Sequence, residues 1–194
     1  MRLLLASRSE TRRRMLAAAG VPFECVDTPF DEEAAKRALA GLDARATADA
    51  LAAMKAESVI VPGALTLGAD QTLELADGSI LGKPESREAL AAQLRSMRGD
   101  THRLHSAVVA VEDGAPVWRA CESVALTVRR FSDAFIAAYV DAEYESVRWN
   151  AGGYRIEGPG AQLFGAIEGS HFAILGLPLL PLLDYLRARG ILEQ

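Results

Sequence analysis

The start of the chain places hydroxyl and basic side chains where a buried strand is predicted to turn into a helix. Residues 3–6 form an apolar run typical of a strand buried on both faces, and Ser9 is well placed as the N-cap of the helix. The backbone N–H groups of such a helix start and the positive end of its dipole together favour an anion. Arg12 follows Ser9 by three residues, so we expect it to bind a phosphate there.

Arginines crowd this turn, which carries Arg8, Arg12, Arg13 and Arg14. A first helical turn normally favours acidic side chains, so these cations oppose the helix dipole. For the cluster as a whole, a basic face exposed to solvent is therefore the alternative to a phosphate site. The position of Arg12 next to the helix start favours the phosphate site for this one residue.

Asp70 is the acidic residue whose surroundings are most informative. Residues 65–75 are predicted to form a strand, and Asp70 lies within it among apolar neighbours. A carboxylate in such a place would be partly buried, which raises its pKa unless a cation or a metal keeps it ionised. We therefore interpret Asp70 as a metal ligand or a general base. An Asp that makes a local turn at the end of a strand is the alternative.

A second acidic feature is the run of carboxylates formed by Asp31, Glu32 and Glu33. Acids at a helix start complement its dipole, and this is one interpretation. The other is a carboxylate that faces a metal, because Mg²⁺ is usually held by one or two carboxylates plus substrate phosphates. Lys55 ends an alanine-rich helix predicted over residues 43–56, where a lysine alone is typical of a solvated cation.

The remaining chain reads as the scaffold for these residues. Capping and helical spacing predict helices over residues 86–98, 133–141 and 179–189. Strand patterns cover residues 21–26, 105–111, 117–128 and 163–167, and residues 76–79 predict a hairpin turn. Because strands alternate with helices and hairpins, we predict an α/β fold with a mixed sheet. The three histidines, His102, His105 and His171, lack metal-ligand spacing and are interpreted as structural.

Composition limits the class of protein. The chain has 194 residues, of which half are hydrophobic, so it suits one globular domain over residues 1–194. A net charge of -5 and a pI near 5.3 argue against binding to a nucleic-acid polymer. The two cysteines fit neither a redox nor a zinc pattern, and no signal peptide or membrane span is apparent. We therefore expect a reduced cytoplasmic protein without a membrane partner.

Two familiar nucleotide-binding motifs fail on spacing. Residues 78–83 resemble a P-loop, but too few residues separate the glycines, and Pro84 replaces the Ser or Thr that would hold Mg²⁺. The glycine-rich residues 150–160 do not match the dinucleotide fingerprint GxGxxG. Their glycines allow tight turns or a close approach of the backbone to a ligand.

Five short motifs together resemble the Maf family of nucleoside triphosphate pyrophosphatases, which are related in fold to the inosine triphosphatases. They span nearly the whole chain, in the order Leu5-Ala6-Ser7-x-Ser9-x-x-Arg12-Arg13, Gly68-Ala69-Asp70-Gln71, Gly82-Lys83-Pro84, Ala151-Gly152-Gly153-Tyr154-x-Ile156-x-Gly158 and Gly176-Leu177-Pro178-Leu179. One such motif alone would be weak, whereas the agreement of several is specific.

The resemblance implies a mixed twisted sheet with flanking helices, in an elongated, two-lobed protein with a central nucleotide cleft. It also implies cleavage of a nucleoside triphosphate to the monophosphate and pyrophosphate with a divalent metal, Mg²⁺ or Mn²⁺, and commonly a homodimer. By the same matching, the family's site positions are Ser9, Arg12, Glu32, Lys55, Asp70 and Lys83. Glu32 and Asp70 would hold the metal, with Asp70 catalytic, and the other four would bind the triphosphate.

The resemblance assigns selection of the base to three positions, Thr11, Gln71 and Glu157. Gln71 and Glu157 resemble the subgroup that acts on 7-methyl-GTP, whereas the subgroup for dTTP and UTP has Thr and Gln there. A carboxylate can accept hydrogen bonds from guanine N1–H and N2–H₂, and it attracts the positive charge of an N7-methylated ring. A solvated Glu157 in a glycine-rich turn is the alternative. The chain also departs from the family at Glu10, where Pro is usual.

A nucleotide-binding regulator of cell division that does not turn its ligand over is an alternative from a different class. The presence of Glu32, Lys55, Asp70 and Lys83 favours an enzyme, because a binding protein has little need of a metal-held water. Cleavage of dTTP or UTP is the alternative within the enzyme class.

Overall fold

The structure is a computed structural model that describes residues 1–193. The chain forms two compact units. The first unit consists of Met1–Gln71, His105–Ser123 and the residues from Ser170 onward, and the second unit of Thr72–Leu104 and Val124–Gly169. Within residues 1–193, none of the helices combines the length and the hydropathy needed to cross a lipid bilayer.

Strands and helices alternate along the chain. The strands are β1 (Arg2–Ala6), β2 (Glu24–Cys25), β3 (Ala64–Glu74), β4 (Ile80–Leu81), β5 (Thr101–Glu112), β6 (Ala115–Val128) and β7 (Phe164–Glu168). The α-helices are α1 (Glu10–Ala18), α2 (Glu32–Ala38), α3 (Ala44–Glu57), α4 (Arg87–Met97), α5 (Asp133–Val147), α6 (His171–Ile174) and α7 (Leu179–Ala188). Short 3₁₀ turns cover Ala151–Gly153 and Pro159–Leu163.

The sheet is mixed, as the sequence predicts. Its strand order is β2-β1-β3-β5-β6-β7, and β4 pairs with β3. Strand β1 is parallel to both of its neighbours, β2 and β3, whereas β4 and β7 are antiparallel to β3 and β6. The prediction of an α/β fold with a mixed sheet and flanking helices is confirmed.

In the first unit, both faces of the sheet are covered by helices. Alternate residues of a strand point to opposite faces. On one face, side chains of β1, β3 and β5 pack with those of α1 and α7 around a cluster that includes Leu5, Leu16, Leu67 and Leu182. On the other face, alternate residues of β5 pack against the alanines of α3. Helices on opposite faces therefore flank β1, which lies between two parallel neighbours.

This arrangement predicts where a ligand binds. In open α/β sheets, ligands bind beyond the carboxyl ends of parallel strands, at the point where the connections change faces. In this chain that point is the carboxyl end of β1. The turn that follows it contains Ser7 and Ser9, and β3 continues beyond it to Asp70 and Gln71.

The second unit has its own core. Three apolar side chains of α4, those of Leu90, Leu94 and Met97, are buried. Gly152 and Gly153 have positive φ, and a Cβ on Gly153 would lie 2.0 Å from Leu90 Cδ1. The glycine-rich segment therefore gains both its turn geometry and its close packing from residues without a side chain.

Three predicted elements differ from the structure by three or more residues at one end. The strand predicted over residues 21–26 is reduced to Glu24–Cys25, because Pro22 has no N–H to donate and the N–H of Val21 bonds Leu16 at the end of α1. Helix α5 continues to Val147 because no glycine or proline interrupts residues 142–147. Strand β5 begins at Thr101, ahead of the predicted residue 105.

Candidate functional site

Two carboxylates of the first unit converge on one lysine. Lys55 Nζ donates to Asp70 Oδ1 and, at 3.0 Å, to Glu32 Oε2. Asp70 is 7% exposed, and the Lys55 side chain is 13% exposed. The ammonium supplies the positive charge that a nearly buried carboxylate needs, so the interpretation of Lys55 as a solvated lysine is wrong.

Gly68 explains how α3 brings Lys55 to Asp70. A Cβ on Gly68 would lie 2.1 Å from the carbonyl oxygen of Ala52 and 2.5 Å from the amide nitrogen of Ala56. Only a residue without a side chain permits this approach of a helix to a strand. Since Lys55 lies in the turn of α3 that packs on Gly68, its side chain reaches Asp70, two residues further along β3.

Helix α2 delivers the second carboxylate. Asp31 is its N-cap and accepts a hydrogen bond from the N–H of Ala34 at 3.0 Å, which leaves Glu32 in the first turn. Lys36 Nζ donates to Glu32 Oε1 at 2.9 Å. Burial lowers the pKa of Lys36, but the hydrogen bond and charge of Glu32 outweigh it and raise the pKa overall. Glu32 therefore lies at a helix start and also faces Lys55, so it fits both interpretations of the acidic run.

The turn after β1 is the predicted helix start. The N-cap role of Ser9 is confirmed, because its hydroxyl accepts a hydrogen bond from the N–H of Arg12 at 3.4 Å. Arg12 Nε donates to the carbonyl oxygen of Gly176 at 2.7 Å. The described residues offer the Arg12 guanidinium no other hydrogen bond and no ion pair closer than 4.0 Å.

Arg12 is a cation with unused donors in a desolvated place. Burial lowers the pKa of its guanidinium, and the negative charges of Asp70 and Glu32 oppose that shift. An arginine stays charged even so, and it presents a planar fork of donors. A group of this kind favours a multiply charged anion such as phosphate.

Gly176 has no side chain and so leaves room for the guanidinium of Arg12. Its φ of +92° lies in the left-handed region that favours glycine, and a Cβ there would lie 3.2 Å from Arg12 Nη2. The turn after α6 thus both accepts the hydrogen bond of Arg12 and leaves space for its guanidinium. The glycine in the Gly176-Leu177-Pro178 motif has a direct role at this site.

Arg8 and Arg14 fit the alternative of a solvated face, whereas Arg13 is half-buried. Arg8 is exposed, and Arg14 lies 3.9 Å from Glu10 with an exposed side chain. Arg13 Nη2 reaches the carbonyl oxygen of Ser7 at 3.4 Å. Among the four arginines, Arg12 is the one that burial and geometry single out.

Gln71 points to the opposite face of β3 from Asp70, because successive strand residues alternate. Its Nε2 lies 2.8 Å from Ser106 Oγ and 2.9 and 3.0 Å from the carbonyl oxygens of Ala173 and Ile174. These acceptors come from β5 and α6. The side chain is therefore held by neutral hydrogen bonds, where Asp70 is held by charge.

The remaining site residues predicted from the sequence are Thr11, Lys83 and Glu157. Thr11 is half-buried in the first turn of α1, and its side chain makes no hydrogen bond within residues 1–193. Lys83 and Glu157 belong to the second unit, where both are exposed. Lys83 follows β4, and Glu157 lies in a turn of the glycine-rich segment. Their roles stay predictions.

The donors suit a metal that arrives with its ligand. Residues 1–193 contain no group of three or more His, Cys, Asp and Glu side chains placed to hold a metal. Glu32 and Asp70, however, place one oxygen each within hydrogen-bonding reach of a single cation, the Lys55 ammonium. Two carboxylates completed by substrate phosphates match the usual ligation of Mg²⁺.

Two residues of the site were missed by the sequence reading. Lys36 follows Glu32 by four residues on a predicted helix, which is the spacing of an ion pair and could have identified it. Ser106 is fully buried within the apolar run of β5. A lone hydroxyl in such a run is a weak signal that gives no indication of its partner.

The chain is similar in sequence to known proteins. The family described as Maf-like protein matches residues 2–189. A relative from Sphingopyxis alaskensis, named nucleoside triphosphate pyrophosphatase, is 50% identical over 198 residues and covers 100% of both chains. A relative of the same name from Caulobacter vibrioides is 50% identical over 97% of this chain and 96% of its own.

Among solved structures, a HAM1 protein from Coxiella burnetii has a TM-score of 0.47 and 16% identity, and the match covers 68% of this chain and 74% of that protein. That likeness is too distant to bear on function. The family match, by contrast, runs through every residue of the Asp70 and Arg12 networks described above. The chain belongs to the Maf-like protein family.

Proposed function

We propose that the protein hydrolyses a nucleoside triphosphate to the monophosphate and pyrophosphate, with a divalent metal. The observation that carries this proposal is the convergence of Asp70 and Glu32 on Lys55, close enough to Arg12 for both carboxylates to act on its pKa. Two full-length relatives bear the name nucleoside triphosphate pyrophosphatase, which supports the same reaction.

The phosphate groups would be bound by the start of α1 and by the neighbouring cations. Ser9 fixes this helix start, Arg12 carries unused guanidinium donors, and Lys55 can move from its carboxylates to a phosphate oxygen. Charge-assisted hydrogen bonds of this type are about twice as strong as neutral ones. The resemblance adds Lys83 to this set.

Hydrolysis requires a proton acceptor for the attacking water. The water oxygen forms a bond to phosphorus, the phosphoanhydride bond breaks, and pyrophosphate leaves as the water loses its proton. Asp70 Oδ1 bonds Lys55, while Oδ2 has no hydrogen bond within residues 1–193 and can accept that proton. Glu32 and Asp70 would also hold Mg²⁺ or Mn²⁺, which when bound neutralises phosphate charge and orients the water.

For the base, we propose 7-methyl-GTP as the substrate, with Thr11, Gln71 and Glu157 in contact with it. Support comes from the chemistry of position 157, where a carboxylate suits a cationic ring with N–H donors. Glu157 is exposed and available for such a contact. Cleavage of dTTP or UTP is the alternative, and a glutamine at position 157 would favour it.

Pyrophosphate release from a panel of nucleotides tests the reaction. The panel contains 7-methyl-GTP, GTP, dTTP, UTP, CTP and ATP, each measured with Mg²⁺, with Mn²⁺ and with a chelator. We expect pyrophosphate with either metal, none with the chelator, and the fastest release from 7-methyl-GTP. Tight nucleotide binding without release of pyrophosphate would instead favour the regulator that does not turn over its ligand.

Matched variants separate the metal site from general surface charge. Glu32→Gln should abolish most metal-dependent turnover, whereas Glu33→Gln, one residue away and exposed, should retain it. Equal losses in the two variants would contradict the role of Glu32. The homodimer and the cytoplasmic location stay predictions from the sequence.

A further inference from the structure

The Gln71 side chain has its donors engaged and its acceptor open. Ser106 Oγ, the carbonyl oxygen of Ala173 and that of Ile174 all lie within 3.0 Å of Gln71 Nε2. The hydroxyl of Ser106 in turn donates to the carbonyl oxygen of Ala173 at 2.6 Å, so its lone pairs face the amide. Gln71 Oε1 has no hydrogen bond within residues 1–193.

The Gln71 amide cannot flip by 180° without losing these hydrogen bonds. A flip by 180° would bring Oε1 against the carbonyl oxygens of Ala173 and Ile174, which have no proton to donate. Only the Ser106 hydroxyl could then donate to it, and it would have to leave Ala173 to do so. The hydrogen-bond network itself therefore assigns which atom of Gln71 is oxygen.

The partners of Gln71 are themselves fixed. Ser106 and Ala173 are fully buried, and Ile174 is nearly so. The two carbonyl groups belong to the last residues of α6, and that of Ala173 also accepts the N–H of Gly176 at 3.0 Å. The same turn continues to Gly176, which accepts the hydrogen bond of Arg12. One backbone turn thus holds both Gln71 and the phosphate-binding Arg12.

We propose that Ser106 is a positioning residue that fixes Gln71 as a hydrogen-bond acceptor, so that the site selects nucleotides with an N–H donor on the base at this point. A glutamine side chain that rotates freely can bond either a donor or an acceptor of the ligand. When the amide is fixed as it is here, Gln71 Oε1 can bond an N–H of the ligand, but a carbonyl group at the same place would face that oxygen without a proton between them. The proposal rests on the proposed function in taking the ligand to be a nucleotide whose base contacts Gln71.

Equilibrium binding tests this without any need for turnover. The probes are α,β-methylene triphosphates, which resist cleavage, in two pairs. Inosine lacks the 2-amino group of guanosine, and uridine has a carbonyl oxygen at the position where cytidine has its amino group. In the unaltered protein, calorimetry should show about tenfold or tighter binding of the amino-bearing member in at least one pair. Absence of a preference in both pairs would overturn the proposal.

Ser106→Ala then tests the role of the hydroxyl. We expect the preference to shrink to about twofold, while the dissociation constant for inorganic tripolyphosphate, which reports on Arg12, stays unchanged. Ser106→Cys, with similar shape and a weaker donor, should give an intermediate preference, and Gln71→Met should give none. Retention of the full preference in Ser106→Ala would overturn the proposal, as would an equal loss of affinity for every nucleotide and for tripolyphosphate.

These outcomes are distinct from failure of the proposed function. If no nucleotide releases pyrophosphate but the binding preference depends on Ser106, the positioning role stands and the catalytic proposal fails. If pyrophosphate is released and the preference does not depend on Ser106, the catalytic proposal stands and the positioning role fails.

Discussion

Asp70 in the first unit and His102 in the second are both ionisable residues that the fold nearly buries. Asp70 is 7% exposed and His102 is 2% exposed. The ammonium of Lys55 bonds the first, and the hydroxyl of Tyr154 lies 2.7 Å from Nε2 of the second. One residue is thus surrounded by charge and the other by neutral groups.

The neutral surroundings of His102 determine its charge state. Its ring lies 5.6 Å from the Tyr154 ring and 5.9 Å from the Phe164 ring, centre to centre, and its Nδ1 has no hydrogen-bond partner within residues 1–193. Burial lowers its pKa from 6.5 to about 4, so it is neutral at pH 7. The interpretation of this histidine as structural agrees with its place in the core.

The difference separates a chemical site from a structural one. Burial disfavours the charged form of any group, so a buried group either loses its charge or gains a partner. His102 is buried without a charged partner and loses its charge, whereas Asp70 has Lys55 as its partner and Arg12 and Glu32 nearby. A buried ionisable residue with charged partners is a stronger sign of function than one among neutral groups.

The largest expected effect is that of removing the charge of Asp70. Asp70→Asn keeps the shape of the side chain but can no longer accept a proton from water, so kcat should fall by about 10²–10⁴-fold. Steady-state kinetics with the preferred triphosphate measures this, and thermal unfolding checks the fold. Asp77→Asn, in the exposed turn before β4, is the matched control. Near-normal turnover of Asp70→Asn would remove Asp70 from the mechanism.

The next effect concerns the cation beside this carboxylate. Arg12→Ala loses a charge-assisted hydrogen bond to phosphate, which contributes about 1.5–3 kcal/mol, so KM for a triphosphate should rise about 10–150-fold. The inhibition constant for the monophosphate should change much less. Arg14→Ala, on the exposed side of the same helix, should alter neither. Equal weakening of triphosphate and monophosphate would place Arg12 away from the outer phosphates.

Glu157→Gln tests base selection in the second unit. The new amide would oppose guanine N–H donors, which costs roughly 1–3 kcal/mol, so kcat/KM for 7-methyl-GTP should fall about 5–150-fold. UTP and dTTP offer carbonyl groups as well as an N–H, so they should lose less or gain. Glu145→Gln, exposed on α5, serves as the control. A uniform change across all nucleotides would favour the solvated interpretation of Glu157.

The smallest expected effect is a dependence of stability on pH that comes from His102, the residue with neutral surroundings. The folded protein binds no proton at His102 until the pH approaches 4, whereas the unfolded chain binds one near pH 6.5. The contribution of this residue to stability is therefore complete above pH 6.5 and is lost as the pH falls from there toward 4.

Between pH 7 and pH 5 that loss amounts to about 2 kcal/mol. Urea unfolding of the protein and of His102→Gln at both pH values isolates it, because the other titrating groups are common to both. If the two proteins lose stability equally, His102 keeps an ordinary pKa in the folded state.

The sequence predicts the elements well where the signal is local. Capping residues identify the starts of α1 and α5 at Ser9 and Ser132, and both hydroxyls accept the expected N–H. Hydrophobic patterning likewise locates β3 and its central acid. The errors occur where contacts with other elements determine the secondary structure. At residues 21–26, for example, the N–H of Val21 donates to a carbonyl oxygen at the end of α1.

The site is predicted less completely, because its contacts join residues distant in the chain. Asp70 and Arg12 could be singled out by their neighbours in sequence. The contact between Lys55 and Asp70 depends on the packing of α3 against Gly68, and no local pattern encodes that packing. The hydrogen bond from Gln71 to Ser106 joins residues on two strands and needs the strand order to be known.

The central claim is that the charged cluster around Asp70 cleaves a nucleoside triphosphate to the monophosphate and pyrophosphate. Phosphorus NMR of the reaction with Mg²⁺ tests it most directly, because it identifies every product. We predict pyrophosphate and monophosphate in equal amounts from the intact protein, and no detectable cleavage in the same time by Asp70→Asn. Orthophosphate with a nucleoside diphosphate, or the same products at the same rate from Asp70→Asn, would contradict the claim.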